Sequence, residues 1–496
     1  MYTKPARYLR QVVVAGTLAL FVVPLIGFAQ SAPPLRYALT LTDRNLHVTL
    51  TYVPLQRDST VFVYGIPPFG GQADIFRGVR QPRVTAPARL QIDTAARSLT
   101  VYYTDTQPVT LDYDIVDTHT DAMGTRGELF RPMIQPDYFF SHGVNLFLQP
   151  QLRQPMPTLS QSVRWAVAPP YRVFFGSYPY ADAKTTFTQP YDDMLMAPIT
   201  GATDLSVDKQ TINGIDNFTV LRKTKLDTFN KESVKNYLAA YDKSIRSFWN
   251  DYDDRYFSLI IEPFLRVNHD ASGIAYEFGF IGKYTGDTIM NAKRRDVISH
   301  EIAHHWIGQR LSMGSENQWF NEGFTDYTSF YCMLRAGLIT ADQFVGLLND
   351  ASRAHYGSSI RNAPNDSVFK NYWKLGDYQR LPYRRGSLFA FWLDNQILTA
   401  SNRQHDIRDL LRDLYALRKR KGSEYTLTMA DFLDATSRYL PRQQVQTAID
   451  QYITAGNPIP FTAAMLGPDW TVTEKSGAPQ FGLTNRQPFK TRFVRK

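Results

Sequence analysis

In a chain of 496 residues, the run His300-Glu301-Ile302-Ala303-His304 restricts the fold more than any other feature. Two imidazoles grip one metal ion only from the same side of the backbone, and a spacing of four achieves that on a helix. The run therefore dictates a helix, with something facing it to carry a further ligand. Glu322, in Asn321-Glu322-Gly323-Phe324, is the natural third donor. A catalytic zinc takes three protein ligands and keeps a fourth position open. Glu301 cannot share the face of the two histidines, which frees it to act as general base toward the attacking water. With 9 His and 9 Glu in the chain, a chance run of this form is expected roughly three times in a thousand such chains. Ile307 and Arg310 stand where another zinc pattern requires glycine and histidine, so that subclass is excluded. Asp326 follows Glu322 by one helical turn, placed to orient a ligand histidine through its second ring nitrogen. His305 should face away from the metal and, like Trp306 and Trp319, serve packing.

The longer stretches His300 to Gly308 and Trp319 to Phe324 resemble the gluzincin zinc metallopeptidases, related to the larger zinc aminopeptidase family. Leu381-Pro382-Tyr383-Arg384-Arg385-Gly386, Ala363-Pro364-Asn365 and Ala455-Gly456-Asn457-Pro458 look most like the glycyl aminopeptidase family. About forty residues follow Gly456, too few for the PDZ domain that ends many of its members. The resemblance implies one Zn²⁺ per chain and peptide substrates with small first residues such as Gly or Ala. It also implies that Tyr383 donates a hydrogen bond to the developing oxyanion. Glu322 lies one residue closer to His304 than in the larger aminopeptidase family. That family's exopeptidase signature survives only as Gly273-Ile274-Ala275-Tyr276-Glu277-Phe278, where Glu277 would hold the substrate's free α-amino group.

Periodicity divides the chain. Tyr37, Leu39 and Leu41 alternate, Asp43-Arg44-Asn45 turns, and Leu46, Val48, Leu50 and Tyr52 alternate again, predicting a hairpin. Val109, Leu111, Tyr113 and Ile115 repeat the pattern. After residue 225 the period becomes helical, with Val234, Tyr237, Leu238, Tyr241, Ile245 and Phe248 on one stripe. Strands are expected at Tyr256–Glu262 and Gly273–Ile281, then a metal helix from Met290 to Arg310 and a Glu322 helix from Trp319 to Gly337. Ile407, Leu410, Leu411, Leu414 and Leu417 form an amphipathic stripe, and Thr428 caps another helix. The expected architecture is multidomain: a β-sandwich-like N-terminal domain (30–225), a thermolysin-like α/β zinc peptidase lobe (226–340), a mainly helical C-terminal lobe (341–456) and a tail (457–496).

Residues 1–29 read as a signal peptide: Lys4, Arg7 and Arg10, then the apolar stretch Val12 to Phe28, then Gly27-Phe28-Ala29 for cleavage. Export to the periplasm or beyond follows, with no stable membrane insertion after cleavage. The net charge of +9 falls to +6 without that segment, too modest to argue for nucleic acid. One cysteine, Cys332, rules out an internal disulfide and reads as a buried thiol. Three readings remain open: an exported zinc aminopeptidase, a zinc endopeptidase with the same site, and an inactive metallopeptidase-like binding protein. The oligomeric state is not encoded legibly.

Overall fold

The computed structural model describes residues 35–54, 58–64, 70–72, 74–120, 123–151, 159–167, 169–177, 184–189, 191–222, 231–269, 271–285, 291–423 and 425–485. The expected signal at 1–29 lies outside them.

The first unit is a sandwich. β1 (Leu35–Leu41) and β2 (Asn45–Tyr52) pair as the expected hairpin, with Leu39 opposite Val48. β2 pairs in turn with β3 (Val109–Val116) in a six-stranded sheet. Every second residue of these strands is buried, because one face meets a four-stranded sheet across a shared core that includes Leu50, Phe62, Leu99 and Leu111. A further four-stranded sheet has both faces covered. Within its strand Tyr138–His142, Phe139 enters the sandwich core, while Tyr138 and Phe140 enter a separate core against the next unit. Helix α1 (Gly124–Phe130) projects toward that unit, and Glu128 accepts the backbone N–H groups of Leu265 and Val267, both at 2.8 Å.

The second unit is built on a five-stranded sheet of β4 (Leu205–Ile212), β5 (Ile215–Arg222), β6 (Tyr256–Pro263), β7 (Ala271–Tyr276) and β8 (Gly279–Tyr284), in the order β4-β5-β6-β8-β7. β5 and β6 are parallel, so the chain must cross over between them, and α2 (Lys231–Trp249) makes that connection. On β6, Leu259 and Ile261 face the helices while Ile260 faces the first unit, which explains a strand apolar throughout. The expected boundary near residue 225 is corrected: β4 and β5 lie in this sheet through the β5–β6 pairing, so the unit begins near 205. The expected strand Gly273–Ile281 is two strands, because Glu277 and Phe278 form the turn of a hairpin and Gly279 adopts a positive φ of 156°.

Helices follow: α3 (Ala292–Ala303), α4 (Gln318–Asn321), α5 (Gly323–Arg335), α6 (Ala341–Tyr356), α7 (Gly376–Ala400), α8 (Ile407–Lys421) and α9 (Met429–Thr436). The stripe of α8 is buried, and Thr428 caps α9 through a reciprocal bond with Asp431. The basic end of α8 is partly engaged, since Lys419 pairs with Asp251 and Asp253 at 3.1 and 3.0 Å. Residues 457–485 are not a tail. A hairpin of β9 (Trp470–Lys475) and β10 (Ala478–Leu483) places Trp470 and Phe481 in the main core, and Asn349 of α6 bonds both backbone groups of Phe481. No helix among the described residues is long and apolar enough to cross a membrane.

Candidate active site

Asn291 starts α3 by accepting the Arg294 N–H at 2.9 Å. Ile298 and Ile302 pack beneath the helix in the core, while His300, Glu301 and His304 line a cavity of about 790 Å³. The helix stops well short of Arg310. The His304 N–H still reaches the His300 carbonyl at 3.1 Å, and then Gly308, at φ +92°, turns the chain. That turn brings the Ile307 carbonyl to His304 Nδ1 at 2.9 Å. A carbonyl only accepts, so Nδ1 carries the proton and Nε2 presents a lone pair. Asp326, on α5, does the same for His300: its Oδ1 lies 2.7 Å from Nδ1.

Glu322 sits between α4 and α5, where the expected continuous helix is divided. Its Oε2 is 3.4 Å from His300 Nε2 and 3.2 Å from His304 Nε2, and the three donor atoms lie within 4.8 Å of one another. That oxygen is buried and has no hydrogen-bond partner among the described residues. Three inward lone pairs at such separations call for a cation. Zinc bonds of about 2.0–2.2 Å in tetrahedral array give edges of about 3.3 Å, so the donor set fits one Zn²⁺. The other carboxylate oxygen, Oε1, accepts from the Tyr372 hydroxyl at 3.1 Å.

Glu301 stands between the ligand histidines and edge strand β7. A Cβ on Gly273 would lie 2.9 Å from Glu301 Cγ, so glycine alone gives this carboxylate its room. The Ala275 N–H donates to Glu301; burial raises its pKa, partly offset by the two imidazoles. The Tyr383 ring stacks on His300, with centroids 5.4 Å apart and planes 25° apart. Burial, then the Glu322 charge, holds the Tyr383 phenol well above its ordinary pKa, so it stays protonated and able to donate. One turn later, Gly386 meets Gly323: a Cβ on Gly386 would come within 2.0 Å of the Trp319 carbonyl. This close crossing of α5 and α7 sets Tyr383 beside the residues that carry Glu322.

Six of the seven expected site residues thus converge: His300, Glu301, His304, Glu322, Asp326 and Tyr383 all line the cavity. Glu277 does not. It lies in the β7–β8 turn, its side chain 46% exposed and 3.8 Å from Arg310 Nη2. At that register Tyr276 turns inward to Ser258, so the strand offers the cleft no carboxylate. His305 is buried, with Nε2 2.7 Å from Asp254 Oδ2, and Cys332 is buried on the core side of α5. Sequence reasoning missed Tyr372, one of 29 tyrosines with no motif around it. It also missed Arg126, which donates to Gln379 at 2.9 Å and lies 5.6 Å over the Trp373 ring. All three line the cavity, so this bridge ties α1 to the helical region across it.

The helix with two histidines and the acidic donor at the junction of the next two helices lie in a segment that resembles known proteins. Residues 285–452 match the family model described as Peptidase family M1 domain. The matched segment contains all three metal donors, Glu301 and Tyr383, and the donor set fits one Zn²⁺. A 135-residue stretch is 27% identical to leucine aminopeptidase 2 of Yarrowia lipolytica, covering 22% of this chain and 19% of that protein. The chain therefore matches about a fifth of that relative's length. Among solved structures, an aminopeptidase N family protein from Idiomarina loihiensis superposes with a TM-score of 0.73 at 15% identity, covering 89% of this chain and 79% of the other. The M1 zinc metallopeptidase from Deinococcus radiodurans gives 0.52 at 14% identity, covering 86% and 94%. A point mutant of that enzyme bound to a Tyr-Ser-Ala substrate gives 0.53 at 16% identity, with the same coverage. These likenesses extend the shared fold through the β-rich first unit and the helical region.

Proposed function

We propose that this chain is an exported zinc aminopeptidase that removes N-terminal residues from peptides. The observation that carries the reading is the convergence of His300, His304 and Glu322 on one point, with Glu301 and Tyr383 in the same cavity. Zn²⁺ held there would act as a Lewis acid toward the peptide carbonyl and acidify the attacking water. Asp326 and the Ile307 carbonyl hold both imidazoles in the tautomer that directs Nε2 inward. Glu301 takes the proton of the attacking water and delivers it to the departing amine nitrogen. The Tyr383 hydroxyl donates to the substrate oxygen as negative charge develops on it. Tyr372 steadies Glu322 through its second oxygen.

Several finer parts of the reading rest on other support. The aminopeptidase assignment draws on the names of the relatives and on the Arg126–Gln379 bridge across the cavity. Preference for a small first residue such as Gly or Ala rests on the likeness of Leu381 to Gly386 to the glycyl aminopeptidase family. Export rests on the charge and apolar pattern of residues 1–29. We read the unit of β4–β8 with α3–α5 as a thermolysin-like lobe, on the helix pair that presents the three donors. An endopeptidase is the second reading, favoured by the position of Glu277 outside the cleft wall.

A product-resolved digest of a mixed peptide library, with and without chelator, tests the proposal. Single N-terminal residues released only in the chelator-free reaction, with N-acetylated peptides resistant, are expected. Internal cleavage of blocked peptides would move the assignment to the endopeptidase, and turnover indifferent to chelator would end both.

A further inference from the structure

Asp296 is a carboxylate of the cleft wall that this mechanism leaves unused. It stands on α3 four residues before His300, just over one turn or about 6 Å along the axis, and lines the same cavity. It is partly buried and forms no hydrogen bond or ion pair among the described residues. Burial weighs most on it; Asp326 and Asp350 repel its charge and Arg295 attracts it. Arg126 and Arg380 bring positive charge to the cavity from α1 and α7, so the acidic wall is the one formed by α3 and α5. A desolvated carboxylate facing like charges gains most from an arriving cation that also donates hydrogen bonds.

We propose that Asp296 sets side-chain specificity by receiving the ammonium or guanidinium of a Lys or Arg that flanks the scissile bond. The inference rests on the peptidase reading and adds to it a basic residue next to the cleaved peptide bond; where that residue stands first, it replaces the small first residue proposed above. A substrate's α-ammonium offers the same chemistry from another source. Its nitrogen, however, is only two bonds of about 1.5 Å each from the carbonyl carbon. That span is too short to reach a full helical turn beyond His300, whereas a four-carbon side chain covers it.

The test compares zinc-loaded protein on matched tripeptides carrying Lys or norleucine on either side of the scissile bond. Norleucine keeps the aliphatic stem and lacks the ammonium. The wild type is expected to favour Lys in kcat/KM by about tenfold or more at one of the two positions, or about 1.4 kcal/mol per tenfold. Asp296→Asn should bring the Lys-to-norleucine ratio near one, and Asp296→Glu should restore part of it. A wild-type ratio near one, or a ratio that survives Asp296→Asn, overturns the inference. An Asp296→Asn loss equal for Lys and norleucine, and absent with N-acetylated peptides, assigns the residue to the α-ammonium and overturns it too. Calorimetric titration of the same peptides into zinc-loaded Glu301→Gln protein gives a readout independent of turnover. Discrimination in binding without cleavage by the wild type sinks the peptidase reading and keeps Asp296. Cleavage of both peptides without discrimination does the reverse.

Discussion

Asp326 touches no substrate in this account, yet removing its carboxylate should loosen the metal. Its Oδ1 accepts from His300 Nδ1 at 2.7 Å, the short separation of a charge-assisted bond, and His300 itself is only 8% exposed. In Asp326→Ala the imidazole loses the partner that fixes its tautomer and ring plane, so part of the population presents a protonated Nε2 inward. Losses of this kind weaken zinc by about 10–100-fold, or about 1.4–2.7 kcal/mol. Asp326→Asn keeps an oxygen able to accept the same N–H and forfeits only the charge, so its loss should sit near the lower end. Competition against a chromophoric chelator reads the zinc Kd directly, and circular dichroism of the metal-free proteins checks that the fold is intact. An unchanged zinc Kd in the alanine variant, or an asparagine variant as impaired as alanine, would refute the reasoning.

Three further outcomes are expected. Tyr383→Phe keeps the ring on His300 and removes only the donor, so kcat should fall by about 10²-fold, roughly 3 kcal/mol, with zinc content unchanged. Gly386→Ala drives a methyl group toward the Trp319 carbonyl, a backbone atom that cannot swing aside. A loss of about 2–3 kcal/mol or more, seen as a lowered unfolding midpoint, should follow; an unchanged midpoint would show that α5 and α7 do not cross as described. Glu277→Gln should leave the preference for free over N-acetylated peptides intact, because its carboxylate stands outside the cavity and near Arg310; loss of that preference would return Glu277 to the site.

Much of the metal centre is legible in the sequence because it is local. Spacing on one helix fixes His300 and His304, and Asp326 follows Glu322 by one turn of the next. What is not legible depends on tertiary contact. The helix looked longer than it is because His305, Trp306 and Ile307 continue an apolar pattern, whereas a positive φ at Gly308 turns the chain to bring the Ile307 carbonyl back to His304. β4 and β5 resemble strands of the preceding domain, and only their pairing with β6 assigns them to the catalytic sheet. Glu277 follows Tyr276, the last paired residue of β7, and alternation along the strand no longer sets where its side chain faces once Glu277 and Phe278 become a turn. Tyr372, Arg126 and Asp296 carry no motif, and their place in the cavity emerges only when distant segments meet.

Every role proposed for this site requires two imidazoles and one carboxylate to share a single metal ion. Anomalous scattering at the zinc absorption edge, from crystals of protein purified without added metal chelators, tests it most directly. One peak per chain is expected, about 2.0–2.2 Å from His300 Nε2, His304 Nε2 and a Glu322 oxygen, and absent in a His304→Ala variant. No peak after zinc reconstitution, or one bound elsewhere on the chain, would contradict the account.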